Sequence, residues 1–381
     1  MKKITIIEII LVLVLIFFFI IREEAKNGAK LDDFQRVSTA QDTSQSYPIK
    51  TAAYWTSPIM SLNDVANLAK HDIVIADLEN QFNNRENLLK LKRLNPCLLL
   101  IAYSNPMEVF RHKLGNRHWQ NNVIDELSAR PQWFLKTISQ QNGHSIKKIA
   151  SYWPGMIMLN MSSACPNIYF NNYSKWMANK IKNEILSDSI WDGYFMDNGL
   201  SNISWIYPKR DEKFTIDGEN ENSNSKTDQK WKEGVEEYMS IIKSTGKIII
   251  SNRGSLDFLD KVDGKLFEHF PNNYIGSKWA NGWKQCFMNA KKTGPLTIFQ
   301  VNRNEIMFGL TSCLLQDNVY LAISQDDAGY FSELNINLGL PQGRTRTNLF
   351  GTIFYRRFEK GVVIVEPLKR RGVIKFFKVK T

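Results

Sequence analysis

Ile190-Trp191-Asp192-Gly193-Tyr194-Phe195-Met196-Asp197-Asn198-Gly199 is the stretch whose reading decides the fold. Tyr194-Phe195-Met196 is a short run rich in aromatic residues between turn signals, which favours a buried strand over a helix. The strand enters through an Asp-Gly turn and leaves carrying a carboxylate, so Asp197 stands where the strand meets its following loop. In parallel α/β proteins that end of a strand carries the chemistry. Capping of the next helix is the competing reading of Asp197, because Asp and Asn are favoured there.

Outward from this stretch, strand-like and helix-like runs alternate. Strands are expected at 49–55, 73–76, 97–103, 194–196, 247–251, 264–267, 296–301 and 319–323. Helices are expected at 62–70, 85–93, 171–186 and 231–244, and a Glu/Asn/Ser-rich insertion at 217–226 reads as a surface loop. Between the third and fourth strands lies a long excursion rich in Trp, His and Asn. Eight strands separated by helical stretches is the count of a (β/α)8 TIM barrel, an α/β fold. A doubly wound sheet would call for a Gly-rich phosphate loop after an early strand, and neither GxGxxG nor GxxxxGK[ST] occurs. After residue 343 the pattern changes to β-like runs at 349–357, 361–365 and 373–379 separated by Glu-Lys-Gly and Arg-Arg-Gly turns, a small C-terminal antiparallel β extension.

The domain plan is therefore an N-terminal membrane anchor or signal segment at 1–21, a flexible linker at 22–47, the barrel at 48–343 and a basic β-meander at 344–381. Lys2 and Lys3 precede an apolar run to Ile21 broken only by Thr5 and Glu8, which predicts that the remainder is exported and favours an uncleaved anchor over a cleaved signal. Residues 22–47 are polar and without period. The 381 residues suffice for a sizeable core, and 43% hydrophobic content with 12% aromatics suits one. The net charge of +11 is concentrated in the tail: eleven Lys/Arg and two Glu from Arg344 onward leave +9 there. An anionic polysaccharide or a phospholipid surface would suit that tail, and a solvated strand face has the same composition. No nucleic-acid-binding module is visible. The four cysteines show no metal spacing; Cys97 reads as a buried thiol, and Cys165 could enter a disulfide.

The barrel reading brings polar residues to the carboxyl ends of successive strands: Tyr54/Trp55, Asp77/Glu79, Tyr103/Asn105, Asp197/Asn198, Asn252/Arg253, Glu268/His269, Gln300 and Asp326/Asp327. Aromatics, amides and carboxylates on one rim suit glycoside hydrolysis, which needs one protonated carboxyl and one ionised carboxylate. Asp197 and Glu268 form the expected catalytic pair. The apolar Leu-Phe-Glu-His-Phe frame should raise Glu268 and make it the acid, while Asp197 beside Asn198 should stay ionised as nucleophile or base. An ion pair of Glu268 with Arg253 is the structural alternative. Tyr54, Trp55, Asp77, Tyr103, Asn105, Asn198, Asn252, Arg253, Asp326 and Asp327 are the expected substrate-binding residues. Loop solvation is the other reading of the last two. The five histidines show no metal spacing and no GxSxG occurs, so neither a metal nor an organic cofactor is expected.

Residues 191–198, Ile-Ile-Ile-Ser-Asn-Arg253 and Leu-Phe-Glu-His269, in this order, resemble the hypothetical glycoside hydrolase families with TIM-barrel folds, related to bacterial extracellular polysaccharide hydrolases such as endo-polygalactosaminidases. Tyr355-Arg-Arg-Phe-Glu-Lys-Gly-Val-Val-Ile-Val365 is similar to the tail of such chains. The resemblance covers about 48–379 and implies the fold, the activity and a site of a D-G-x-x-x-D strand, an N-[GR] strand and a later Glu. Asn160 stands where such families carry Asp, and Glu366 replaces an Asn before Pro367. The function expected is cleavage of an extracellular or cell-surface polysaccharide. The alternative is a catalytically inactive barrel that binds glycan during surface polysaccharide synthesis or export.

Overall fold

The computed structural model describes residues 49–142, 144–206, 212–217, 224–272 and 278–378. The expected anchor at 1–21 and linker at 22–47 lie outside the described residues. Among the described residues no helix is long and apolar enough to cross a membrane.

Eight strands close into a parallel barrel in which each pairs with its neighbours in chain order. They are β1 (Thr51–Trp55), β2 (Ile73–Asp77), β3 (Leu99–Ser104), β4 (Gly193–Met196), β5 (Ile248–Asn252), β6 (Gly264–Phe267), β7 (Thr297–Val301) and β8 (Val319–Gln325). All eight expected strands are present, with ends shifted by one or two residues. The strands are buried on both faces, so they read as near-continuous apolar runs. Alternate residues fill the interior: Ala52, Tyr54, Ile73, Ile75, Ile101, Phe195, Ile250, Leu266, Ile298 and Ala322 pack together. Their neighbours in sequence, such as Trp55, Val74, Ala76, Tyr194 and Met196, face the helices instead.

Helices cover the outside because their apolar faces match that outer layer. Leu62–Leu68 starts on a capping box in which Ser61 and Asp64 bond each other's backbone. Tyr173–Lys180 starts on Asn172, whose side chain accepts from the Lys175 amide. The helix expected at 231–244 begins earlier, at Asn224. Its polar first turns carry no apolar period, and tertiary contacts hold them: Asp228 accepts the Ile203 and Ser204 amides at 2.8 and 2.9 Å. Most of the insertion expected at 217–226 lies outside the described residues.

The excursion between β3 and β4 builds a wall above the barrel. Glu108–Phe110 pairs antiparallel with Met156–Met158. Lys136–Gln141 and His144–Ile149 form a three-stranded sheet with Glu212–Thr215, which comes from the chain after β4. Asn160, the departure noted above, is buried here: its amide donates to the Ile216 carbonyl at 2.6 Å and its oxygen accepts from the Ser162 hydroxyl at 2.6 Å. The residue joins two parts of the wall.

The carboxy-terminal strands Arg346–Thr347, Phe354–Arg357, Gly361–Glu366 and Arg371–Phe376 form an antiparallel sheet against the helix Ile306–Leu314. Gly372 permits the approach, because a Cβ there would stand 1.9 Å from Thr311 Oγ1. Several of the basic residues are paired: buried Arg356 meets Asp317 at 2.7 Å, and Arg370 bonds Glu305. All four cysteines are free. Cys97 is exposed rather than buried, because the strand begins two residues later and the Cys97 amide is tied back to Asn95 at 3.2 Å. Cys165 is a buried thiol that burial pushes up to about 12.

Candidate active site

The floor of the barrel mouth is aromatic. Tyr54, Tyr103 and Phe195, from β1, β3 and β4, meet with ring centroids 5.5–5.8 Å apart. Burial drives both tyrosine hydroxyls far above their ordinary range. They therefore serve as neutral hydrogen-bond donors. Tyr54 partners Tyr103, and the Tyr103 hydroxyl donates to Asp197 Oδ2 at 2.9 Å.

Asp197 and Glu268 stand directly after β4 and β6, on either side of β5. Asn252, the last residue of β5 and 3% exposed, connects them. Its Nδ2 donates to Asp197 Oδ1 at 2.8 Å and to Glu268 Oε2 at 3.0 Å. Its Oδ1 accepts the Arg253 amide at 2.6 Å, which fixes which way the amide faces. Because bonds of 2.8 and 3.0 Å meet at one nitrogen, the two carboxylate oxygens lie no more than ~5.8 Å apart, and ~5 Å apart for N–H directions near 120°.

Asp197 accepts a third bond from the Asn198 amide at 2.8 Å. Its carboxyl is nevertheless pushed above its ordinary value. Burial is the main cause and the nearby Glu268 adds to it, against the opposing bonds from Asn252, Tyr103 and Asn198. The expectation of an unperturbed Asp197 in a polar setting is thus corrected. Both side chains are half-buried at the mouth, Glu268 being 30% exposed, while Phe267 and Phe270 of its apolar frame pack into the core outside the barrel. His269 Nε2 lies 3.9 Å from Glu268 Oε1, too far for a hydrogen bond. The His269 amide is held by buried Gln300 at 3.1 Å.

Five non-glycine residues with positive φ cluster where strands become mouth loops: Asn198, Arg253, His269, Ser324 and Asp326. Such conformations are uncommon outside glycine and concentrate at functional sites. At Asn198 the turn directs the amide back onto the preceding carboxylate.

Other expected residues have different employment. Trp55 lies on the outer face of β1 and donates to the Ile59 carbonyl at 3.1 Å, so the structure does not bring it to the mouth. Asp77 is 1% exposed and forms an ion pair with Arg117, which descends from the excursion. Burial pushes the Asp77 carboxyl up and Arg117 opposes it. Glu79 caps the helix His118–Ser128 by accepting the Trp119 and Gln120 amides at 3.1 and 2.8 Å. Asp326 accepts the Thr56 and Ser57 amides, closing the loop after β1 onto that after β8. Asp327 takes Arg303 through two 3.0 Å bonds. These two carboxylates hold loops, a use that neither the sugar-contact nor the solvation reading of the sequence foresaw. Asn105 accepts the Met107 amide at 3.1 Å and its side chain supports Glu108. Arg253 lies on the Trp205 ring, 3.5 Å from its centroid.

Sequence reading missed Glu108. It is 1% exposed, its carboxyl is pushed up by burial, and Asp197 is close enough to add to the effect. It also missed Tyr152, Trp153 and Trp205 beside it. The Tyr-Trp-Pro-Gly turn at 152–155, whose Gly155 has φ 79°, was the available signal. Among the described residues no group of three or more His, Cys, Asp or Glu could hold a metal ion.

The chain resembles a noncanonic maltogenic alpha-amylase from Thermotoga neapolitana at 10% identity and TM-score 0.46, over 84% of this chain and 86% of that one. An alpha-amylase from Lactobacillus plantarum gives 9% identity and TM-score 0.45, over 84% and 88%. A cycloalternan-degrading enzyme from Trueperella pyogenes gives 10% identity and TM-score 0.45, over 77% of this chain and 45% of that one. No curated protein matches in sequence. One family model matches residues 92–362, more than half of the chain, and carries the glycoside hydrolase class without the finer relation to endo-polygalactosaminidases. The chain belongs to hypothetical glycosyl hydrolase family 15.

Proposed function

We propose that this glycoside hydrolase cleaves an extracellular or cell-surface polysaccharide with retention of anomeric configuration, with Asp197 as nucleophile and Glu268 as general acid and base. One observation carries the reading: a single amide nitrogen bonds one oxygen of each carboxylate and holds those two oxygens ~5 Å apart. Retaining enzymes need a separation of about 5–5.5 Å, whereas inverting ones leave about 6.5–9.5 Å for a water molecule. A silent glycan-binding barrel has no need of such spacing.

The bonds support these roles. Asp197 is held by three donors, from Tyr103, Asn252 and Asn198, so its free lone pair can be aimed at an anomeric carbon. In the first step its oxygen bonds that carbon while Glu268 gives its proton to the departing glycosidic oxygen. In the second step Glu268 takes a proton from water, which attacks the same carbon and releases Asp197. Export, with residues 1–21 as anchor or signal, would bring the barrel to its substrate; the two lysines before the apolar run support this. An anionic polysaccharide is compatible with the basic tail.

The test is a panel of polysaccharides assayed for released reducing ends, followed by NMR of the first product formed. Retention is expected, with activity lost in both Asp197→Asn and Glu268→Gln. Inversion, or full activity in both variants, would refute the assignment.

A further inference from the structure

Beside the two carboxylates the excursion presents aromatic rings that the core does not absorb. Trp153 is 50% and Tyr152 40% exposed. Tyr152 sits edge-on between Trp153 and Trp205, with centroids 5.1 and 5.0 Å away. Fully apolar packing would bury such rings, so their exposure on one ledge has a cost in water.

Two independent connections tie this ledge to the site. Glu108, almost wholly buried, accepts the backbone amides of both Tyr152 and Trp153 at 3.1 Å and lies within electrostatic reach of Asp197. On the other side, Trp205 carries Arg253, and Arg253 follows Asn252, whose amide holds both carboxylates. The ledge is thus fixed relative to the carboxylate pair by the chain itself, at the rim of the same mouth.

We infer that Tyr152 and Trp153, backed by Trp205, form a sugar-binding subsite next to the cleavage point, which takes a pyranose ring of the same polysaccharide chain. The apolar C–H faces of a pyranose stack on exposed aromatic rings and leave its hydroxyls in water. The inference rests on the hydrolase reading and deepens it. A ledge of this kind makes the enzyme specific for chains of at least two sugars, because part of the binding free energy comes from a ring that does not react.

Binding of the full-length Asp197→Asn protein to amylose, dextran, xylan and polygalacturonate is measured by native affinity electrophoresis. At least one polymer should retard the protein. Trp153→Ala should weaken that retardation about tenfold, and Tyr152→Ala/Trp153→Ala further. Tyr169→Ser/Phe170→Ser, which removes the exposed rings of Tyr169 (87%) and Phe170 (98%) outside the ledge, should leave it unchanged. Retardation by no polymer, equal retardation of the double ledge variant, or an equal loss in the control would overturn the inference. If the ledge behaves as expected but the wild-type chain cleaves none of the polymers, the hydrolase reading fails by itself. If the wild-type chain cleaves a polymer and the ledge variants keep its KM, the ledge fails by itself.

Discussion

Replacing Asn252 by alanine is the sharpest perturbation of this site, because one nitrogen serves both carboxylates. Hydrogen bonds to charged groups contribute about 1.5–3 kcal/mol each. The loss of one, at the lower bound, corresponds to about a tenfold fall in rate, and of both to about a hundredfold. The Asn252 bond holds the Asp197 carboxyl down against burial and Glu268, so its removal raises Asp197 further. A nucleophile must be ionised, hence the acid limb of kcat/KM should move to higher pH in Asn252→Ala. The assay is reducing-end release from the active polysaccharide across pH 3–9, with a thermal melt to establish folding. A folded Asn252→Ala enzyme with wild-type kcat/KM and an unmoved acid limb would refute the bridging argument.

Three further outcomes concern the scaffold. His71 is 3% exposed and neither ring nitrogen finds a hydrogen bond, so burial lowers it to about 4. The folded state then binds its proton less tightly than the unfolded state, so stability should fall by ~3 kcal/mol as pH drops from 6.5 to about 4, and denaturant titrations of His71→Leu should lose that part of the slope. Lys265, wholly buried on β6 with its amine unpartnered, is lowered to about 8 by burial. The same sign applies: stability should rise between pH 8 and 10.5, and Lys265→Met should be more stable at pH 7 by ~1–3 kcal/mol in urea unfolding. Gly372→Ala should loosen the carboxy-terminal sheet from the helix Ile306–Leu314 and cost ~1–3 kcal/mol, visible as faster proteolysis of the tail; an unchanged melting temperature would contradict the close approach.

The barrel was legible because its strands are apolar and short and end in polar residues. What they could not disclose is which face each residue takes. Every residue of β1 is buried, so Tyr54 and Trp55 look alike in sequence, although one lines the mouth and the other packs under the helix Leu62–Leu68 and its neighbours. Strand-end carboxylates were ambiguous for a related reason. Asp197 and Asp326 both follow an apolar strand, yet Asp197 shares a donor with Glu268, while Asp326 meets the amides of the next loop. That choice depends on loop closure across the barrel, between residues nearly 270 positions apart for Asp326. Glu108 and its aromatic neighbours were hidden because the excursion has no period to place it.

The order of strands also explains why the proposed roles fall as they do. Asp197 and Glu268 flank β5, so any residue at the end of β5 must stand between them, and a side chain with two donors on one atom can bond both carboxyls at once. Asn meets that need: Lys would bring a positive charge, and Asp would put a third carboxyl where a donor is needed. The remaining contacts then separate the partners. Asp197 accepts from Tyr103 and Asn198 as well, whereas Glu268 accepts the shared amide and is 30% exposed. A group that must form one directed covalent bond benefits from the first setting. A group that must give a proton to one oxygen and take it from another benefits from the second.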